Sequence, residues 1–372
     1  MNNKENNKKR PKYMLKAAEY GLTEGEERRE GGAASARCDL AVEARELYLG
    51  ARRKATRDNG NDVKADKEDF GVEMETEKAE EHIEITRVKV VDERGEKNIG
   101  KPKGNYITIE TPARFFGEQS AYEGMCRVCA KEIKALADNF LESEDDAVLV
   151  VGLGNWNITA DALGPKAVSS LMVTRHLKEY VPEEIDEGIR PVCAVSPGVL
   201  GLTGVETGEI VLGIVDRIKP KLVIAIDALC SRRIERINAT IQIADTGITP
   251  GEGVGNKRRA LNLETLGVPV IAIGVPTVVD AATIAGDTLE LIVSELESAV
   301  ERDEPLYKLL SLLKNEDRYE LIRQVIGPKF GNFVVAPKEV DSIIDDIASV
   351  VANGINIALH RGIELEDIDR YV

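Results

Sequence analysis

The chain has 372 residues, 43% hydrophobic and 31% charged, a composition that suits one large α/β domain with appendages or two modest domains. Its formal net charge of −16 repels phosphate backbones, so no direct nucleic-acid partner is expected. No apolar run reaches the roughly 20 residues that span a bilayer, and the basic start MNNKENNKKRPKYMLKAAEYG has no apolar core of a secretory signal. The expectation is a cytoplasmic protein with no membrane partner.

Residues 1 to about 36 are polar and rich in Gly and Ala, which predicts a mobile arm. CDLAVEARELYLGARR (38–53) then turns amphipathic and helical, and KATRDNGNDVKADKEDFG reads as an exposed loop. HIEITRVKVV and NYITIETP alternate with period two and predict an antiparallel ribbon over about 82–112. A long helix follows at roughly 118–141, and it carries the pair CRVC at 126–129. With no second pair to complete a zinc site and no strand just before it, that pair reads as two helix-borne thiols.

Five Val- and Ile-rich runs come next: AVLVVGLG (147–154), RPVCAVSP (190–197), KLVIAIDA (221–228), ATIQIAD (239–245) and VPVIAIG (268–274). Helical patterns separate several of them, which predicts a mostly parallel sheet covered on both faces, a three-layer α/β sandwich. A helical segment over about 305–362 completes the chain and would pack onto that core.

In open parallel sheets the reactive groups gather at the carboxyl ends of the strands. After the first run stand Gly152, Gly154, Asn155 and Asp161; the third run gives Asp227, the fourth Asp245, and the fifth leads to Asp280. Asn157 occupies the third position of a dinucleotide glycine motif, no P-loop is present, and AVSPG around Ser196 is not a nucleophile elbow. No cofactor is therefore expected. Two carboxylates are the best chemical candidates. Apolar neighbours should raise the pKa of Asp227, whereas a helix beginning near Pro165 should favour ionised Asp161. Such a pair divides into acid and base, as an aspartic-type peptidase requires. The alternative is that both aspartates cap helices or hold loops. IADTGI (243–248) contains the Asp-Thr-Gly triplet of pepsin-like proteases, but one copy in an α/β setting reads as a turn.

VVGLGNWNITADALGPKAV, VSPGVLGLTGVETGEIV, IAIDALCSRRIERINATIQIADTGITPGEGVGNKRR and LGVPVIAIGVPTVVDA closely resemble the germination proteases of spore-forming bacteria, in register from about Arg37 to His360. The resemblance implies an atypical aspartic endopeptidase that degrades small acid-soluble spore proteins at germination, works in the spore core as a homotetramer, and folds like the hydrogenase maturation proteases. It places the essential aspartates at Asp161 and Asp227. Relatives of that fold bind metal through two acids and a histidine, but none of the three histidines clearly falls at a strand end, so no metal is assigned. Gly154 and Asn155, with nearby backbone amides, would then polarise a scissile carbonyl. The loop SPGVLGLTG, with Ser196 and Gly198, would line the peptide groove or simply turn the chain.

The resemblance also implies a propeptide over 1–39, a single peptidase domain over 40–372, and self-cleavage between Asp39 and Leu40. Asp39-Leu40-Ala41 has the order acidic, apolar, alanine that the family cuts in its substrates, and Cys38 stands where a threonine is expected. Two other readings compete. GLGN and TRH (174–176) are fragments of peptidyl-tRNA hydrolases, although His176 lies 22 residues after Gly154. A non-catalytic protein that binds spore proteins would leave both aspartates structural.

Overall fold

The structure, a computed structural model, describes residues 39–58, 71–112, 118–251, 258–298, 322 and 333–368. The arm expected over 1–36, part of the loop expected over 54–71 and nearly all of the first half of the helical segment expected from 305 lie outside these residues. In chain order come α1 (Ala41–Asp58), β1 (Val72–Glu80), β2 (Ile83–Val90), α2 (Glu93–Ile99), β3 (Gly104–Glu110) and α3 (Gln119–Ala137). They are followed by β4 (Val148–Gly152), α4 (Leu163–Ser169), β5 (Val192–Val195), α5 (Thr207–Ile218), β6 (Leu222–Ser231), β7 (Thr240–Ala244) and β8 (Val270–Asp280). The last named elements are α6 (Ala281–Ser298), β9 (Val334–Val335) and α7 (Val340–Leu359).

The strands form one sheet in the order β1-β2-β3-β7-β8-β6-β4-β5, with β9 paired to β8. β8, β6, β4 and β5 run parallel, as their apolar sequences predict. ATIQIAD is different: β7 is antiparallel to both β8 and β3, and so joins the ribbon to the parallel strands. The ribbon also has a third strand, β1, which the sequence pattern does not announce. Beyond Val72 most of its residues are exposed, so no alternating apolar face is written into it.

Alternation along the buried strands feeds two layers. Ile224, Ile226, Ile271 and Ile273 pack with Met125 and Ile133 of α3 and Ile347, Val351 and Ile355 of α7. Leu149, Val151, Val223 and Ala225 face the other way, onto Val211 and Val215 of α5. α7 is long and apolar enough by composition to cross a membrane, but its apolar stripe is spent on α3. A Cβ on Gly354 would lie 3.0 Å from the sulfur of Cys129, so a glycine is what lets these helices approach. Cys126 and Cys129 are both buried on α3, and burial pushes Cys126 up to about 12 and raises Cys129 as well. Thiols held protonated in this way are inert packing groups.

α1 is anchored at its first turn, which matters for the site below. Glu43 is 1% exposed and accepts the backbone N–H groups of Arg232 (2.8 Å) and Arg233 (3.1 Å), just after β6. Arg236 pairs with Glu43 at 3.3 Å, Glu46 at 3.0 Å and Glu110 at 2.7 Å, tying α1 to β3. Removing one partner from a buried ionic cluster leaves the others uncompensated. Arg236→Ala should therefore lower the unfolding free energy by about 3–5 kcal/mol, measured as a lower urea midpoint at unchanged slope. A loss below about 1 kcal/mol would mean that the cluster behaves as a solvated surface network.

Candidate active site

The glycine turn after β4 exists to bring two backbones together. A Cβ on Gly152 would lie 2.3 Å from the carbonyl oxygen of Gly164, and one on Gly164 would lie 2.3 Å from that of Leu153. Strand end and helix α4 therefore meet with no side chain between them. Gly154, at φ +111°, closes the same turn on Asp161: its Cβ would lie 2.0 Å from the Asp161 carbonyl oxygen, which accepts the Asn155 N–H at 3.0 Å. Thr277 of β8 donates its hydroxyl to the Ala160 carbonyl at 2.6 Å. Gripped from both sides, the single 3-10 turn Thr159–Asp161 holds its carboxylate at the rim of the sheet.

Asp227 lies in β6, 6% exposed, beyond the last residue of its neighbour β4. It accepts the backbone N–H of Ala228 at 2.9 Å. Burial, and after it the negative charge of Asp161, drive the carboxyl of Asp227 well above the usual carboxylate range. Burial also raises Asp161, to about 6, against the pull of the Asn155 N–H and the Arg258 guanidinium. The helix end alone predicts an ionised Asp161 held low; desolvation outweighs it, because α4 is short and Asp161 is withdrawn from water. The order of the two acids is nevertheless the one the chemistry needs. Of the two, Asp227 is the one driven toward its protonated form, and Asp161 the one that ionises more readily.

The other sequence candidates fall into place around this pair. The Asn155 side-chain oxygen accepts the Asn157 N–H at 3.0 Å, so it shapes the loop. Ser196 is exposed, and the Gly198 carbonyl accepts the Thr207 hydroxyl at 3.1 Å, which ties this loop to the start of α5. Asp245 clamps Asn105 through bonds of 2.8 and 2.6 Å, and the antiparallel course of β7 carries it away from the rim. Asp280 caps α6 by accepting the Ala282 N–H at 2.7 Å. His176 is exposed on a short helix, His82 sits in the β1–β2 turn, and His360 is buried with its Nδ1 accepting the Arg190 N–H at 3.2 Å.

Asp39 and Leu40 come directly to the site. Asp39 donates its N–H to the Cys230 carbonyl at 3.1 Å and accepts the Cys230 N–H on its carboxylate at 2.8 Å. Leu40 is fully buried against Leu229, and the charge of Asp39 acts on Asp227. Two residues escaped the sequence reading. Arg258 faces Asp161 electrostatically, and its Nη1 is buried with no hydrogen-bond partner among the described residues. Gln242 is a buried carboxamide in the apolar run ATIQIAD, and that lone polar residue was the available signal.

Comparison with known proteins places the chain in a family. The family model described as germination protease matches residues 41–312 and 301–372. The germination protease of Clostridium acetobutylicum is 49% identical over 338 residues, covering 91% of this chain and 99% of its own. That of Caldanaerobacter subterraneus subsp. tengcongensis is 51% identical over 334 residues, covering 90% and 97%. The Bacillus subtilis protein is 40% identical over 365 residues, covering 90% and 96%. The chain belongs to the germination protease family. Among solved structures, a [NiFe] hydrogenase maturation protease of Thermococcus kodakarensis matches 38% of this chain and 80% of its own, at 24% identity and a TM-score of 0.24.

The raised carboxyls make a stability prediction. An acid whose folded pKa lies above its unfolded value costs nothing below the unfolded value and destabilises as pH rises through the folded one. For Asp161 the window runs from its ordinary 3.8 to about 6. Asp161→Asn should match the parent in urea unfolding below that window and exceed it above, by on the order of 1–3 kcal/mol. Equal stability on both sides would show that Asp161 is solvated.

Proposed function

We propose that this chain is the zymogen of an endopeptidase that begins the degradation of small acid-soluble spore proteins. Asp161 removes a proton from a water whose oxygen attacks the scissile carbonyl, and Asp227 gives its proton to the carbonyl oxygen. When the tetrahedral species collapses, the C–N bond breaks, the departing amine takes the proton from Asp161, and the new carboxyl returns one to Asp227. The observation that carries this reading is a peptide of the right sequence near the pair: Asp39 is bonded to Cys230 of the β6 strand that holds Asp227, and Ala41 to Gln242 of β7. Family membership supports peptidase chemistry in spore germination.

The same reading assigns residues 1–39 as a propeptide, 40–372 as the peptidase domain, and the spore core as the place of action. The exposed Trp156 and Ile158, on the loop after β4, and Leu202, on the short helix Leu200–Thr203 after β5, are apolar contacts for an extended substrate. Leu291, Ile292 and Leu296 of α6 are exposed as well and offer a face to further copies in a homotetramer. The peptidyl-tRNA hydrolase alternative requires His176 as its base. That residue is exposed on its own short helix, apart from the turn that carries Asp161 and the strand that carries Asp227.

Incubated alone, the full chain should yield a new N-terminus reading Leu-Ala-Val-Glu, while Asp161→Asn and Asp227→Asn should stay uncut and leave spore-protein substrates intact. Full activity of an uncut chain would end the zymogen claim, and near-normal cleavage by either folded variant would end the dyad. Because Asp161 works as the ionised base, kcat/KM should rise with pH through about 6. A rate that climbs as pH falls through that value would reverse the roles. Cys126→Ser with Cys129→Ser should leave the rate within about threefold, the behaviour of thiols that only pack. Loss of activity that added zinc restores would make the pair a metal site.

A further inference from the structure

Gln242 is a buried long polar side chain in the middle of the sheet near the carboxyl pair, and its position is set by strand register. Asp227 of β6 pairs with Gly274 of β8, and Gly274 pairs with Gln242 of β7. Residues in one cross-strand row point to the same face, so Asp227 and Gln242 stand on that face two strands apart, about 10 Å between backbones. Gly274 puts no side chain between them. Leu229 lies over the gap, where a Cβ on Gly274 would come within 2.3 Å of its Cδ1, and Leu40 and Val42 pack on Leu229.

The segment 39–41 crosses this row. Its β6 side is held by the paired bonds between Asp39 and Cys230. On the β7 side the Gln242 carboxamide takes both ends of one peptide unit pair. Its Oε1 accepts the Ala41 N–H at 2.7 Å, and its Nε2 donates to the Asp39 carbonyl at 3.4 Å. That carbonyl belongs to the bond between Asp39 and Leu40. A glutamine that only satisfied its own amide could use any nearby group. Here one amide brackets the single bond that the function proposed above requires to be cut, and its donor is on the carbonyl that water must attack. The 3.4 Å separation is long for a ground-state N–H···O bond, whereas a donor set for the oxygen of a tetrahedral intermediate is expected to tighten as charge develops there.

We propose that Gln242 is the carbonyl-polarising residue of this reaction. Its side-chain N–H polarises the carbonyl and stabilises the charge that develops on its oxygen as water adds and Asp227 protonates it, and its oxygen positions the N–H of the second residue after the cut. The proton balance is unchanged, since Gln242 donates a hydrogen bond and transfers nothing. One consequence concerns substrate class: the second residue after the cut must carry a backbone N–H, so proline is refused there.

The inference rests on the reading that Asp161 and Asp227 cut at Asp39–Leu40, and the test separates the two. Gln242→Met removes the donor and the acceptor without adding charge; Gln242→Glu keeps the side-chain volume and the acceptor for Ala41, and in its ionised form loses the donor and adds a negative charge. Each is made in the full chain, checked for a parent-like thermal unfolding midpoint, and assayed for self-cleavage and for cleavage of a synthetic peptide containing Asp-Leu-Ala. In the folded variants kcat should fall by about 100- to 1,000-fold, the loss typical of one oxyanion donor, with KM within about threefold. A peptide with proline in place of that alanine should not be cut by the parent. If KM rises while kcat holds, or if both stay at parent values, Gln242 merely holds the chain and the proposal is wrong. If the parent itself fails to cut after Asp39, it is the underlying reading that has failed.

Discussion

Everything around the site follows from a carboxyl group placed inside a sheet with no cation set against it among the described residues. Asp227 sits in the row Asp227–Gly274–Gln242, and burial makes its charged form costly and favours the protonated one. A second acid beside it can then remain ionisable, because two adjacent carboxyls release their protons as a pair. That second acid has to be delivered by a turn tight enough to reach the strand end. The glycines at 152, 154 and 164 do this by allowing backbone to meet backbone where a β-carbon would collide.

The same demand accounts for the position of α1. A strand rim carrying two raised acids is an unfavourable place to add another negative group, yet Asp39 is held there by Cys230. The hold is maintained from outside the rim, by Glu43 on the N–H groups after β6 and by the Arg236 cluster. Folding energy in that cluster thus holds the start of α1 against β6, and on the proposed function this would make the encounter of the carboxyl pair with the Asp39–Leu40 bond an intramolecular one.

Much of this was legible in the sequence, for physical reasons. β4, β6 and β8 are buried on nearly every residue, so their apolar runs could hardly be anything but central strands, and the acids at their ends stood out. The helix 119–137 came within a few residues of its expected bounds because its burial follows one stripe. What stayed hidden depends on pairing between distant segments. The direction of β7 is not encoded in ATIQIAD, and a change of direction is what turns Asp245 away and brings Gln242 into line with Asp227. β1 is an exposed edge with too little apolar periodicity to be read. The sign of the Asp161 shift was missed because a local helix end is visible in a sequence and desolvation by the folded chain is not.

The central claim is that one member of the carboxyl pair carries a proton at neutral pH. Infrared difference spectroscopy of the full chain against Asp227→Asn reads this directly, through the carbonyl stretch of an un-ionised carboxyl. The account predicts that the parent shows such a band near neutrality, that the variant lacks it, and that a further protonated carboxyl appears in both as pH falls through about 6. Identical spectra near neutrality, with Asp227 ionised, would contradict it.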